Sequence, residues 1–312
     1  KNSLVNSTTV SSPATGFDDK ILKVDANSDG EIQISEALLV KSLSYSFGCS
    51  RFGCDGVSIA NFQGLNNFSN LEAFSATDQD AALLDVKNLT HLKSLKYSLY
   101  NGFYGANAHT NKYVKIDFIG AINLEVVSLS GTYMDFDLKN LINLKELTIG
   151  SGNLSSLDLG PNTKLEKLTC YNILGAIDCN GLSNLKEITV SQCKLNNINS
   201  LSLNGVTNLK KLVCDTNEIS NLNLSSCINL EYLSCNSNKL TSIDLTGLSK
   251  LINFQCNDNL ISTLNISNLP ALTEISCKNN QLSSLNLNGL PNLTSLNCSN
   301  NLLPSLNVTG LS

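Results

Sequence analysis

From Leu209 onward the apolar positions of the chain recur every twenty-one residues. The units read "LKKLVCDTNEISNLNLSSCIN", "LEYLSCNSNKLTSIDLTGLSK", "LINFQCNDNLISTLNISNLPA" and "LTEISCKNNQLSSLNLNGLPN", followed by a last one, "LTSLNCSNNLLPSLNVTGLS", that is one residue short. The shared pattern is L-x-x-L-x-C-x-x-N-x-L-x-x-L-x-L-x-x-L-x-x. Reading backwards, further units begin at Leu185, Leu165, Leu144, Leu124, Leu92 and Leu71, which makes eleven. The unit at Leu92 carries about eleven extra residues around "NGFYGANAHTNKY".

Within L-x-x-L-x-C, alternate residues point in and out, which predicts a short parallel strand. The second half of each unit, as in "TSIDLTG", repeats the alternation and predicts a second extended segment on the opposite side. Stacking the units buries the Leu and Ile columns in a core that no single unit could form. The asparagine column (Asn217, Asn238, Asn259, Asn280, Asn301) falls where the chain leaves the strand, and a buried amide there can satisfy backbone groups of its own and the next turn. The earlier units carry Gln79, Thr132, Gly152 or Cys193 at this place, so that half is expected to be less regular.

Ahead of the repeats, "DANSDGEIQISE" (Asp25 to Glu36) has the form of a complete calcium-binding loop. Asp25, Asn27 and Asp29 occupy the first, third and fifth positions, and Gly30 supplies the sharp turn. Glu31 offers its backbone carbonyl, Gln33 acts directly or through water, and Glu36 closes the loop as the bidentate carboxylate. The flanking "DDKILKV" and "SEALLVKSL" read as short helices. Sensor loops of this type come in pairs, and "TDQDAALLDVKN" is not a second one. A lone Ca2+ site beside the first repeat is therefore expected to act as a staple over the exposed first rung. The division is a flexible leader over 1–16, a calcium-binding cap over 17–56 and a solenoid over 57–312. The last repeat shows no equivalent cap, so the natural chain is expected to continue or to have been trimmed.

Composition narrows the function. Of 312 residues 42% are hydrophobic but only 6% aromatic, with no Trp, so the core must be built from Leu, Ile, Val and small residues. A net charge of -5 argues against nucleic acid and anionic membrane partners, which favour clustered Lys and Arg. No run of apolar residues is long enough to span a bilayer. Six of the eleven cysteines (Cys170, Cys214, Cys235, Cys256, Cys277, Cys298) take the same inward slot. Parallel in-register Cβ vectors fit disulfide torsions poorly, and a linear column does not converge on zinc. These residues are read as buried thiols serving as small apolar side chains; Cys179, Cys193 and Cys227 also fill the core. Cys49 and Cys54, in "GCSRFGC", are the candidate disulfide, the alternative being two more buried thiols.

The repeat pattern and the D-x-N-x-D-G segment resemble bacterial extracellular leucine-rich repeat proteins, specifically the short cysteine-containing class of Bacteroidota-type surface and secreted proteins. The resemblance implies a β-rich leucine-rich repeat solenoid, with short parallel strands in every repeat, curved, with a small helical N-terminal cap and an EF-hand-like loop. It implies a secreted or cell-surface location and binding of a host or cell-surface protein.

No hydrolase, P-loop or zinc-protease motif appears, and the only histidines are His91 and His109, so an enzyme is not expected. Outward positions of the first strand form columns of alternating charge: Glu72, Lys93, Glu125, Lys145, Glu166, Lys186, Lys210, Glu231, then Glu146, Lys167, Glu187, Lys211. Alternation on neighbouring rungs suits cross-strand ion pairs. Tyr171 and Tyr232 project from this surface, and the insertion adds Phe103, Tyr104 and Tyr113; these are the candidate anchors for a partner. Some insertion aromatics could instead pack on the solenoid flank. The reading is an interaction or adhesion module, expected to be monomeric, with a carbohydrate-binding or cell-wall-associated module as the alternative.

Overall fold

The computed structural model describes residues 37–46, 49–50, 53–54, 65–78, 83–99, 114–131, 133–151, 154, 157–173, 175–193 and 201–308. They fall in two compact units, Lys1–Asn153 and Leu154–Ser312. The calcium loop, its preceding segment and the aromatic insertion lie outside the described residues.

In the first unit the strands are β1 (Ser42–Ser46), β2 (Cys49–Ser50), β3 (Gly53–Cys54), β4 (Ala73–Asp78), β5 (Leu83–Asp85), β6 (Ser94–Leu99), β7 (Val114–Asp117), β8 (Val126–Gly131), β9 (Met134–Phe136) and β10 (Glu146–Ser151). Strands β1, β4, β6, β8 and β10 pair in parallel as one ladder. Strands β5, β7 and β9 form a second parallel ladder. The segment after Glu36, expected to be helical, is a single turn that leads into β1, which pairs in register with β4 as a first rung. Ala37, Val40 and Leu43 are all buried; their spacing of three imitates a helix, but the chain extends at Ser42 because β4 offers a strand edge to pair with.

The second unit contains β11 (Lys167–Tyr171), β12 (Ile177–Asp178), β13 (Glu187–Ser191), β14 (Leu201–Ser202), β15 (Lys211–Val213), β16 (Tyr232–Ser234), β17 (Asn253–Gln255), β18 (Glu274–Ser276) and β19 (Ser295–Asn297). Strands β11, β13 and β15 to β19 pair in parallel, successively and in register. Among the described residues of this unit the expected second extended segment forms a strand pair at β12 and β14, extended by a parallel bridge from Leu157 to Ile177. In later repeats the same half is held by single bonds, such as Leu260 N to Leu240 O and Gln281 N to Ile261 O.

The leucine spacing explains the return of the chain to each strand. Two successive turns close with hydrogen bonds from residue i+3 to residue i, as in Cys227 N to Leu224 O and Leu230 N to Cys227 O. In such a tight turn every third residue faces the same way, so Leu224, Cys227 and Leu230 all enter the core. One corner needs a left-handed backbone, supplied by Gly247 at φ 84° and Gly289 at φ 79°, and by Asn268 at φ 64° between them.

The asparagine repeats end their strands early. Asn238 Nδ2 donates to Cys214 O, Cys235 O and Asn236 O, and its Oδ1 accepts from Ile219 N. Once the amide holds Cys235 O, that carbonyl is not offered to the next rung, and β16 stops at Ser234. Strands β15 to β19 are three residues long, whereas β4, β6, β8 and β10 run to six. The repeats without Asn are thus the more strand-rich ones.

The recurrent cysteines are free thiols, with Cys170, Cys214, Cys235, Cys256 and Cys277 fully buried. Val190 takes the same slot beside Cys170, and Ala76, Tyr97, Leu129 and Ile149 take it in the first unit, all buried. Cys214 Sγ and Cys235 Sγ each donate to a carbonyl of the next rung, Ser234 O at 3.5 Å and Gln255 O at 3.4 Å. Burial pushes Cys179 and Cys277 up to about 12 and Cys227 to about 11.

Candidate binding face

Side chains that alternate out of the main ladders form the candidate face. At the strand entries the alternating charges pair rung to rung. In the first unit Glu72 lies 3.1 Å from Lys41 and 3.4 Å from Lys93, and Lys145 lies 2.9 Å from Glu125. In the second unit the pairs are Lys186 with Glu166 at 2.6 Å, Lys167 with Glu187 at 3.4 Å and Lys210 with Glu231 at 3.0 Å. The hydrogen bond from Lys41 is the main cause that holds the Glu72 carboxyl below its usual range. All these groups are solvent-accessible, so each pair contributes at most about 1 kcal/mol. Their larger effect is to cancel charge along the face and to fix the lysine stems.

Beyond Glu231 the chemistry changes. Asp215 accepts from Ser234 Oγ at 2.7 Å and from Asn236 N at 2.7 Å. Asn236 Oδ1 accepts from Asn257 N, and Asn257 Oδ1 accepts from Lys278 N and Ser276 Oγ. Each side-chain oxygen thus holds the equivalent backbone N–H of the next rung. Gln255 joins Asn236 Nδ2 at its Oε1 and donates to Asn253 Oδ1, while Asn253 Nδ2 donates to Glu274.

The two tyrosines differ. Tyr171 ends β11 and is 36% exposed. Tyr232 is half-buried, with Lys211 Nζ 5.6 Å from the centre of its ring, a cation–π contact that already engages one aromatic face. Asp25, Asn27, Asp29, Glu31, Gln33 and Glu36 lie outside the described residues, as do Phe103, Tyr104 and Tyr113. Cys49 and Cys54 are register partners in the antiparallel backbone pair β2–β3.

A second amide column was not anticipated. In seven repeats the Asn before the opening Leu donates through Nδ2 to a carbonyl of the preceding coil: Asn70 to Leu38 O, Asn123 to Thr90 O, Asn143 to Ile122 O, Asn184 to Thr163 O, Asn208 to Ser183 O, Asn229 to Thr207 O and Asn292 to Pro270 O. His91 stands in this column, its Nδ1 3.0 Å from Ser69 O. A carbonyl only accepts, so that nitrogen carries the proton, and the role is structural. The signal was present as a recurrent N-L pair.

Among the described residues no three acidic, His or Cys side chains converge on a metal position, and no helix is long and apolar enough to cross a membrane. Parallel rungs of this leucine-spaced kind define a leucine-rich repeat solenoid. A structure titled as the functional domain of InlJ from Listeria monocytogenes, including a cysteine ladder, superposes with TM-score 0.67 at 24% identity. The match covers 89% of this chain and 58% of that one, so the chain spans just over half of its length. An internalin, inlF, of the same organism matches with TM-score 0.48 at 20% identity over 88% of this chain and 91% of that one. The Drosophila Toll–Spatzle complex matches with TM-score 0.50 at 15% identity, over 88% and 43%. No protein-family profile matches the sequence, nor does any curated protein.

Proposed function

We propose that this chain is an extracellular, calcium-stapled interaction module that binds a protein partner through its exposed first-strand face. The observation that carries the reading is the pairing of nearly every charged column on that face while Tyr171 stands exposed at its margin. Lysines and glutamates already held by one another form a neutral, pre-arranged surface, and pre-arranged surfaces lose little freedom on binding. An exposed aromatic in a chain with 6% aromatics is the natural anchor. The Phe103/Tyr104/Tyr113 insertion is proposed as a second anchor. The fold supports this reading: the Toll structure named above is that of a complex. A secreted or cell-surface location and a monomeric state belong to the same proposal.

Calcium completes it. The donor set from Asp25 to Glu36 supplies carboxylate, amide and backbone oxygens in the order a hard cation requires. Glu36 directly precedes Ala37, which is 2% exposed, and Lys41 pairs with Glu72 on the next rung. Bound calcium would therefore hold the start of the ladder through this short connection. A photo-crosslinking residue at Tyr171, compared with one at Thr246 on the far side of the coil, tests the face. Incubated with cell-surface protein extract, the first should give a discrete adduct that excess unlabelled chain suppresses; adducts from Thr246 alone would refute the assignment.

A further inference from the structure

Across rungs β16 to β18 the outward side chains are mostly uncharged hydrogen-bonding groups, with side-chain amides concentrated on β17 and just after β16 and β17. The outward side chains are Tyr232, then Asn253 and Gln255, then Glu274 and Ser276, with Asn236 and Asn257 immediately after the strands and Ser234 buried between them. Asp215 is half-buried and held by Ser234 and Asn236, and Glu274 accepts from Asn253, so neither carboxylate is presented bare.

We propose that this patch, centred on Gln255, is a second binding site, and that it takes a neutral oligosaccharide. A primary amide has two N–H donors and two acceptor lone pairs. The network uses about half of that capacity. Gln255 uses one donor toward Asn253 and one acceptor toward Asn236. Asn253 uses one of each, toward Glu274 and Gln255. Asn257 uses its oxygen for Lys278 N and Ser276 Oγ, and its amide protons enter no hydrogen bond among the described residues. Unused donors and acceptors are thereby interleaved on half-exposed side chains of adjacent rungs, about 4.8 Å apart.

Hydroxyl groups, which donate and accept at once, are the complement of such a surface. An anionic ligand would meet Asp215 and Glu274. A protein hot spot needs desolvated apolar or aromatic area, and here it comes from the Tyr232 ring, flanked by Lys211, and from Ile252, 44% exposed ahead of β17. That ring is suited to the C–H face of a sugar. Because the amides are already oriented by one another, little side-chain entropy is lost on binding. This site shares the first-strand face with the proposed protein anchor but does not include Tyr171.

The test is a titration of the whole chain, by calorimetry and by ligand-observed NMR, with neutral hexasaccharides of α-1,4-glucose, β-1,4-glucose, mannose and N-acetylglucosamine. A heparin hexasaccharide serves as the charged counterpart. At least one neutral hexasaccharide should bind with Kd in the range of about 1 mM or below. Gln255→Leu and Asn253→Leu should each weaken it about tenfold while leaving thermal stability near that of the parent. Lys145→Ala, in the ion-paired part of the face, should leave binding unchanged and shows that any loss is local. Absence of binding by all four at about 10 mM, preference for the heparin fragment, or binding that survives both leucine substitutions would overturn the proposal.

Discussion

Asn259 makes four hydrogen bonds from one side chain: Nδ2 reaches Cys235 O, Cys256 O and Asn257 O, and Oδ1 receives Leu240 N. Asn259→Leu keeps the volume but strands the buried Leu240 N–H and the buried carbonyls of Cys235 and Cys256, which costs about 3 kcal/mol or more. The opposite case is Thr216, exposed at φ 58°, a left-handed conformation that a β-branched residue tolerates badly. Asn172, Asn279 and Asn300 hold the equivalent place, at φ 53° to 56°. Thr216→Asn should raise the melting temperature by about 1 °C or more, and Asn259→Leu should lower it by several degrees; calorimetry in which both leave it unchanged would contradict the ladder account. The asparagine column was legible because its spacing is strict. The left-handed corner was not, because Gln192, Thr216, Ser237 and Asp258 share no local preference for that geometry and are placed there by the rungs on either side.

At the scale of the element, parallel strands at twenty-one-residue spacing were legible because leucine alternation and count agree over five repeats. The back segment was legible too: L-x-L alternation forms the second ladder β5–β7–β9 and the pair β12–β14, and after β14 the turns that follow leave it without paired strands. The role of β1 was hidden because Ala37, Val40 and Leu43 fit either a helix or a turn entering a strand. The thiol column carries a pH prediction. Burial raises Cys170, Cys214, Cys235, Cys256 and Cys277 above their ordinary value of 9.0, to about 12 for Cys277. A raised folded-state value means that the stabilisation is fully present below the unfolded value and is lost as pH rises through the folded one. Each thiol that ionises only on unfolding removes up to about 1.4 kcal/mol per pH unit in that window. Melts under reducing conditions should therefore fall between pH 9 and 11 more steeply for the parent than for a variant with Cys214, Cys235 and Cys256 replaced by Val. Equal slopes would contradict thiol burial.

The β2–β3 register adds a geometric argument for the proposed Cys49–Cys54 bridge. Directly opposed antiparallel residues have Cα atoms about 4.5–5.5 Å apart, inside the range a disulfide accepts. Mass spectrometry after alkylation of the unfolded, unreduced chain should show Cys49 and Cys54 linked and the nine other cysteines modified. A bridge within the Cys214 to Cys298 column would contradict the free-thiol ladder.

For the molecule as a whole, stability in a repeat array is close to a sum of rungs and their interfaces, so the first rung is a point of fraying. If calcium staples it, millimolar calcium should raise the melting temperature relative to EDTA, and Glu36→Ala should abolish the difference; identical melts for the parent in both would remove calcium from the account. The partner's identity was not legible, because the repeats encode their own stacking and leave only a few outward positions for recognition. The central claim is that recognition uses the first-strand face. It is tested most directly by titrating the crosslinked partner, once purified, against the parent chain, Tyr171→Ala and Thr246→Arg. Loss of a real aromatic anchor costs about 2 kcal/mol, so Tyr171→Ala should weaken binding about thirtyfold, with Thr246→Arg within about twofold of the parent. A parent-like Kd for Tyr171→Ala together with a large loss for Thr246→Arg would place recognition on the other side of the coil and contradict the claim.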